Sequence, residues 1–205
     1  MPIDHAALRE RANVATSAQA REECLTDIER AYESTSDPVV RGQLLLCRAT
    51  VLENEWRTGE VIADLERAMA LFEAAGEPEL AIEAASWASA FASRTGDLTL
   101  AVDLATRSIL ALDWVASGDL RIEITNQLGI FCYSFMDYDR AVDQFEISLH
   151  IAEDLGSKER AWRQLQNIAD ALLLSWRQRR LANMPTDIAR LERAEQCVRR
   201  LLVEG

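Results

Sequence analysis

Arg177, Arg179 and Arg180 form the one dense basic cluster in an otherwise acidic chain. Guanidinium groups so close together suit docking to an acidic partner or a neighbouring domain. They also suit a solvated helix C-terminus, where cations complement the helix dipole. The other residue types able to do chemistry are dispersed. Cys24, Cys47, Cys132 and Cys197 lie far apart in apolar helical contexts, and no Cys-x-x-Cys or His/Cys cluster has the spacing of a metal site. They read as small buried hydrophobes. His5 and His150 are isolated, without a carboxylate pattern that would make a base or a ligand of either. There is no glycine-rich phosphate loop, nucleophile elbow or His-Glu-x-x-His. The expectation is a protein with no catalytic residue, no cofactor and no metal, and hence not an enzyme.

The elements that carry these residues are helices. Among 205 residues there are only 8 Gly and 4 Pro, while Ala, Leu, Glu and Arg abound. The breakers and caps divide the chain into helices near 4–20, 21–34, 39–56, 60–75, 78–94, 98–115, 120–135, 138–155, 158–178 and 186–203. Residues 177–185 are an insertion between the last two. In the segment 138–155, Ala141, Val142, Phe145, Leu149 and Ala152 make one apolar face, with Asp139, Arg140, Asp143, Glu146 and Glu153 turned to water.

The helices repeat. Leu25, Leu65, Ala105 and Phe145 fall forty residues apart, as do Ile28, Ala68, Ser108 and Ser148, and Gly76 and Gly156 lie two periods apart. One hairpin cannot bury its own apolar stripe, so copies must stack. Such an architecture presents a surface. The unit at 42–76 fits the register only with its turn, at Thr58-Gly59, slipped by a few residues against Gly96-Asp97.

Net charge is −12, which repels a phosphate backbone, so neither nucleic acid nor an anionic membrane is an expected partner. No apolar run approaches the ~18 residues of a membrane span, and Met1 to Arg11 lacks the apolar core of a secretion signal. A reducing, cytoplasmic setting is expected.

Residues 122–156 carry a recognisable pattern, with Leu128-Gly129 in a first helix and Tyr138, Ala141, Phe145 and Leu149 in a second. This resembles the tetratricopeptide repeat. Softer copies lie around it, with Gly96-Asp97 and Ser89 before and Asn167-Ile168-Ala169 after. The period exceeds the ~34 residues typical of that repeat and is similar to the long-helix variant of bacterial signalling regulators. The resemblance implies an all-α, right-handed superhelical solenoid of nine to ten helices. It would be a single domain over 1–205, in units 1–37 (partial), 38–77, 78–118, 119–157 and 158–205.

In this family the first helix of each unit lines a concave groove that holds peptides or partner segments. Carried over, the groove set is Gln43, Thr50 and Glu53, then Glu83, Ser86, Ala90 and Arg94. It continues with Glu123, Asn126, Ile130 and Tyr133, and then Arg163, Gln166 and Asp170. An amide such as that of Asn126 can pair with both the donor and the acceptor of an extended backbone, or with a neighbouring helix instead. With Lys158 the sole lysine, the carboxylate clamp of chaperone-binding relatives is not expected. Trp87, Phe91, Phe131 and Phe135 read as core, and Tyr133 as turned to the groove. The implied partner is a protein or peptide, with Arg177, Arg179 and Arg180 beside the groove and a homodimer as a further option. The alternative is an N-terminal regulatory and dimerisation domain of a bacterial signalling protein, such as a diguanylate cyclase or a transcription regulator. The terminal Leu201-Leu202-Val203-Glu204-Gly205 favours it by lacking a separate polar capping helix.

Overall fold

Ser17 decides where the chain's second helix begins. Its side chain accepts a hydrogen bond from the Ala20 amide, the geometry that satisfies a free first-turn donor. In a computed structural model that describes residues 5–15, 17–53, 55–185 and 188–204, the opening pair is therefore α1 (His5–Val14) and α2 (Ala18–Ser34), not a break near residue 20. Then come α3 (Pro38–Glu53), α4 (Thr58–Ala75), α5 (Pro78–Thr95), α6 (Leu98–Ala111), α7 (Gly118–Ser134), α8 (Tyr138–Asp154), α9 (Lys158–Leu181) and α10 (Ile188–Glu204). Among the described residues every regular element is α-helical. No helix is long and apolar enough to cross a membrane.

Contacts gather the chain into two compact units, Met1–Leu104 and Ala105–Gly205. In the first, α1 and α2 pack on α3, α3 pairs with α4, and α4 with α5. Leu45, Leu52, Leu65, Phe72, Ala85 and Phe91 are among its core residues. In the second, α7 pairs with α8, α8 with α9, and α9 with α10. Phe145, Leu165, Ile168, Leu172 and Ala194 fill its core.

The forty-residue columns are packing positions. Leu65, Ala105 and Phe145 are buried, and so are Ile28, Ala68, Ser108 and Ser148. A further column of small residues, Ala49, Ser89, Gly129 and Ala169, is buried on the first helix of each pair. At Gly129 the reason is visible, because an added Cβ would lie 2.4 Å from the Phe145 ring.

The turn of the 38–77 unit is not slipped. Trp56 (φ 59°), Gly96 (φ 84°) and Met136 (φ 58°) all adopt the left-handed conformation, forty residues apart. Trp56 thus holds the place of Gly96, and α4 starts at Thr58 rather than residue 60. A tryptophan in a position that suits glycine hid the register from the sequence. At the other end α9 runs on to Leu181 and turns at Asn183 (φ 51°), so Arg177, Arg179 and Arg180 lie on a helix and not in an inserted loop.

Candidate functional site

The face shared by α7 and α9 carries the densest set of polar side chains on the first helices of the second unit. At one end Arg160 of α9 binds Asp119 and approaches Glu123 of α7, with Nε 4.0 Å from Oε1. In the middle, the Asn167 amide nitrogen donates to the Asn126 side-chain oxygen at 3.1 Å. At the other end Tyr133 packs edge-on against Tyr138, ring centroids 5.3 Å apart. Burial first, and then the nearby charge of Asp170, raises the Tyr133 phenol above its ordinary pKa. The row reads acid–guanidinium, amide–amide, phenol–carboxylate.

Its partners recur at a spacing of 41 residues: Asp119 with Arg160, and Asn126 with Asn167. The same spacing joins Glu53 to Arg94 in the first unit, at 3.2 Å. The cause is the repeat itself, since equivalent edges of successive first helices face one another. From the sequence, Arg160 is left out and Asn167 is taken only as part of a repeat match. Complementary residues one repeat apart were the signal that would have found them.

The sequence-derived groove set is only partly brought together. Asn126 is buried and engaged by Asn167, so its amide is first of all an inter-helix bond. Glu123 is largely covered by Arg160. Glu83, expected on the groove, is buried with Ser86 and Ala90, because α5 is almost wholly enclosed and exposes little there. Arg94 lies over the Phe91 ring at 4.0 Å as well as on Glu53. Arg163 is exposed and pairs with Glu159 along its own helix at 3.5 Å, and Gln166 and Asp170 are exposed.

The arginine cluster divides. Arg180 lies over the Trp176 ring at 5.2 Å, and Arg177 is exposed. Arg179 turns back to bind Asp139 at 2.9 Å. Asp139, assigned to water from the sequence, also receives Arg190 and the Ser175 hydroxyl, the latter at 2.8 Å. The Arg190 bond first, helped by Ser175 and Arg179, holds this carboxyl at a pKa of about 2. Glu146 and Glu153 likewise bind Arg193 and Arg200 of α10. The outer face of α8 is therefore half covered by the hairpin that follows it. Beside Asp139 a pocket of about 200 Å³ is lined by Asp143, Arg190 and Arg193, with its charges balanced.

One aromatic, one cysteine and one histidine expectation need correction. Phe135 is 38% exposed, because it sits just past the end of α7 and stacks on Phe131 instead of entering the core. Cys132 is half-buried, whereas Cys24, Cys47 and Cys197 are buried. His150 does have a carboxylate neighbour, Asp154 at 3.7 Å one turn on, both exposed. Among the described residues no three His, Cys, Asp or Glu side chains converge as metal ligands would.

No protein-family model matches the sequence, and no curated protein matches it. Solved structures do match. BtubC (BKLC) from P. vanneervenii superposes with a TM-score of 0.62 at 18% identity, covering 97% of this chain and 76% of its own. A Podosopora anserina protein described as a putative kinesin light chain, of nearly identical TPR-like repeats, gives 0.58 at 15% identity, covering 96% of this chain and 97% of its own. A singly substituted form of that protein gives 0.61 at 15% identity with the same coverage. The fold is TPR-like. The chain is an all-α solenoid of TPR-like helix pairs.

Proposed function

We propose that this TPR-like chain is a protein-interaction scaffold that takes an extended peptide or protein segment against the α7/α9 face. The observation that carries the proposal is the Asn126–Asn167 amide pair, set between an acid–guanidinium pair and the Tyr133–Asp170 end. Asn126 is buried and holds half-buried Asn167 in place, and the Asn167 amide has more donor and acceptor capacity than the single bond between them uses. A segment's backbone pairs there while its side chains meet Tyr133 and Asp170. The role is non-enzymatic, and a charge of −12 argues against nucleic acid as the partner. Four cysteines carried as thiols fit a reducing, cytoplasmic setting.

The test is a peptide array followed by solution titration of the strongest peptide. The Asn126→Ala/Tyr133→Ala double variant is expected to lose most of that affinity while keeping its helical content. Undiminished binding would place the partner surface elsewhere.

A further inference from the structure

The outward edge of the α9–α10 hairpin is a stripe on each helix. On α9, Glu159, Arg163, Gln166, Asp170, Leu173 and Arg177 follow one another at intervals of three or four residues, and all are exposed. This is the edge that on α7 receives its neighbour, since Asp119 and Asn126 stand forty residues before Glu159 and Gln166. On α10, Ile188 (68% exposed), half-buried Leu191, Val198 (42%) and Leu202 (80%) make a parallel apolar stripe, interrupted by Glu195. Removing such side chains from water is favourable, so this apolar row suits a cover.

We infer that the cover is the same edge of a second copy, related by a two-fold axis that sets α9 antiparallel to α9 and α10 antiparallel to α10. The charges select that partner. With the axis level with Asn167 and Ile168, Glu159 falls beside Arg177 of the copy, and Arg163 falls between the copy's Asp170 and Leu173. Every charge on the α9 stripe then faces its opposite or a neutral group. With the α10 axis at Glu195, Ile188 meets Leu202 and Leu191 meets Val198, while Glu195 meets its own copy, the one like-charge contact of the pairing, with Arg199 of each chain beside it. Both stripes close under one operation, as an isologous contact requires. The pattern matters because a chain of net charge −12 repels its own copies over most of its surface. The Glu159–Arg163 and Glu195–Arg199 pairs along the helices are exposed and exchange readily for pairs across the axis.

Sedimentation equilibrium of the full chain over a concentration series tests this. The expected mass is twice the 23.0 kDa of one chain. Ile188→Glu with Leu202→Glu places like charges against each other and is expected to give a monomer of unchanged helical content, since both side chains are exposed in the single chain. Arg163→Asp and Asp170→Arg are each expected to weaken the dimer about tenfold, and the double swap is expected to restore it. A monomer at every concentration overturns the inference. So does a dimer indifferent to the Ile188/Leu202 pair, or one that the double swap fails to rescue. Asp170 belongs both to this seam and to the proposed peptide face, so peptide binding is measured on the Ile188→Glu/Leu202→Glu chain, which leaves that face unaltered, and its outcome does not decide the mass.

Discussion

The Phe145 ring rests on the backbone of Gly129, and a Cβ built there would meet ring carbons at 2.4 and 2.5 Å. Phe145 is 2% exposed and central to the second unit's core, so the ring has nowhere to move. Gly129→Ala is therefore expected to destabilise the fold by about 1–3 kcal/mol, the usual range for overpacking a dense core. Phe145→Leu in the same chain should recover part of that loss. Urea unfolding of the single and double variants measures it, and equal stabilities for wild type and Gly129→Ala would contradict the packing.

Trp56 is the converse case. It holds φ 59° at a turn where its equivalent is Gly96, yet its side chain is 86% exposed. A left-handed non-glycine residue costs roughly 1–2 kcal/mol, and glycine costs about 0.5–1 kcal/mol in chain entropy. Trp56→Gly is expected to leave the thermal midpoint unchanged or raise it by the equivalent of up to about 1 kcal/mol. A clear fall would mean that the indole makes a stabilising contact.

Asp139 ties α8 to α9 and α10 through Ser175, Arg179 and Arg190. Its folded pKa of about 2 lies below the ordinary value near 3.9. The stabilisation is therefore present above about pH 4 and lost as pH falls towards 2. Asp139→Asn should be less stable than wild type at neutral pH, with the difference closing through that acid window. Paired melting curves across the window decide it, and a pH-independent difference would assign the loss to something other than the carboxylate charge.

Asp64 runs the other way. It is 4% exposed, one oxygen has no hydrogen-bond partner, and the nearest cation is Arg48, Nε 3.4 Å from Oδ2. Burial raises its pKa, partly opposed by Arg48 and Arg67. A raised folded pKa gives stability that is present at low pH and lost as pH rises through it. Asp64→Asn should accordingly be more stable than wild type at neutral pH, with the gap narrowing on mild acidification. The same paired melts test this, and a destabilised variant at neutral pH would show that the Arg48 pair outweighs the burial.

The repeat was legible because burial imposes it on residue type. The columns through Leu65, Ala105 and Phe145 and through Ala68, Ser108 and Ser148 are buried positions that tolerate few substitutions. The site was less legible. Asn126 was visible as an amide at a groove position, but Asn167 forty-one residues on was not recognised as its partner. Charged residues misled most, since helical periodicity assigns a charge to water whenever it lies off the apolar stripe. Asp139 and Glu146 lie off that stripe and are covered by arginines arriving from α9 and α10.

By itself the sequence determined the helical class, the forty-residue period and most helix ends, because those follow from side-chain periodicity and local caps that act within a few residues. Tertiary structure decided the rest. It put Trp56 in the left-handed place of Gly96, made Arg179 a partner of Asp139, buried Glu83, and set Asn126 against Asn167. Each of these depends on which helix edge meets its neighbour one repeat away, a relation between distant segments that no local pattern contains.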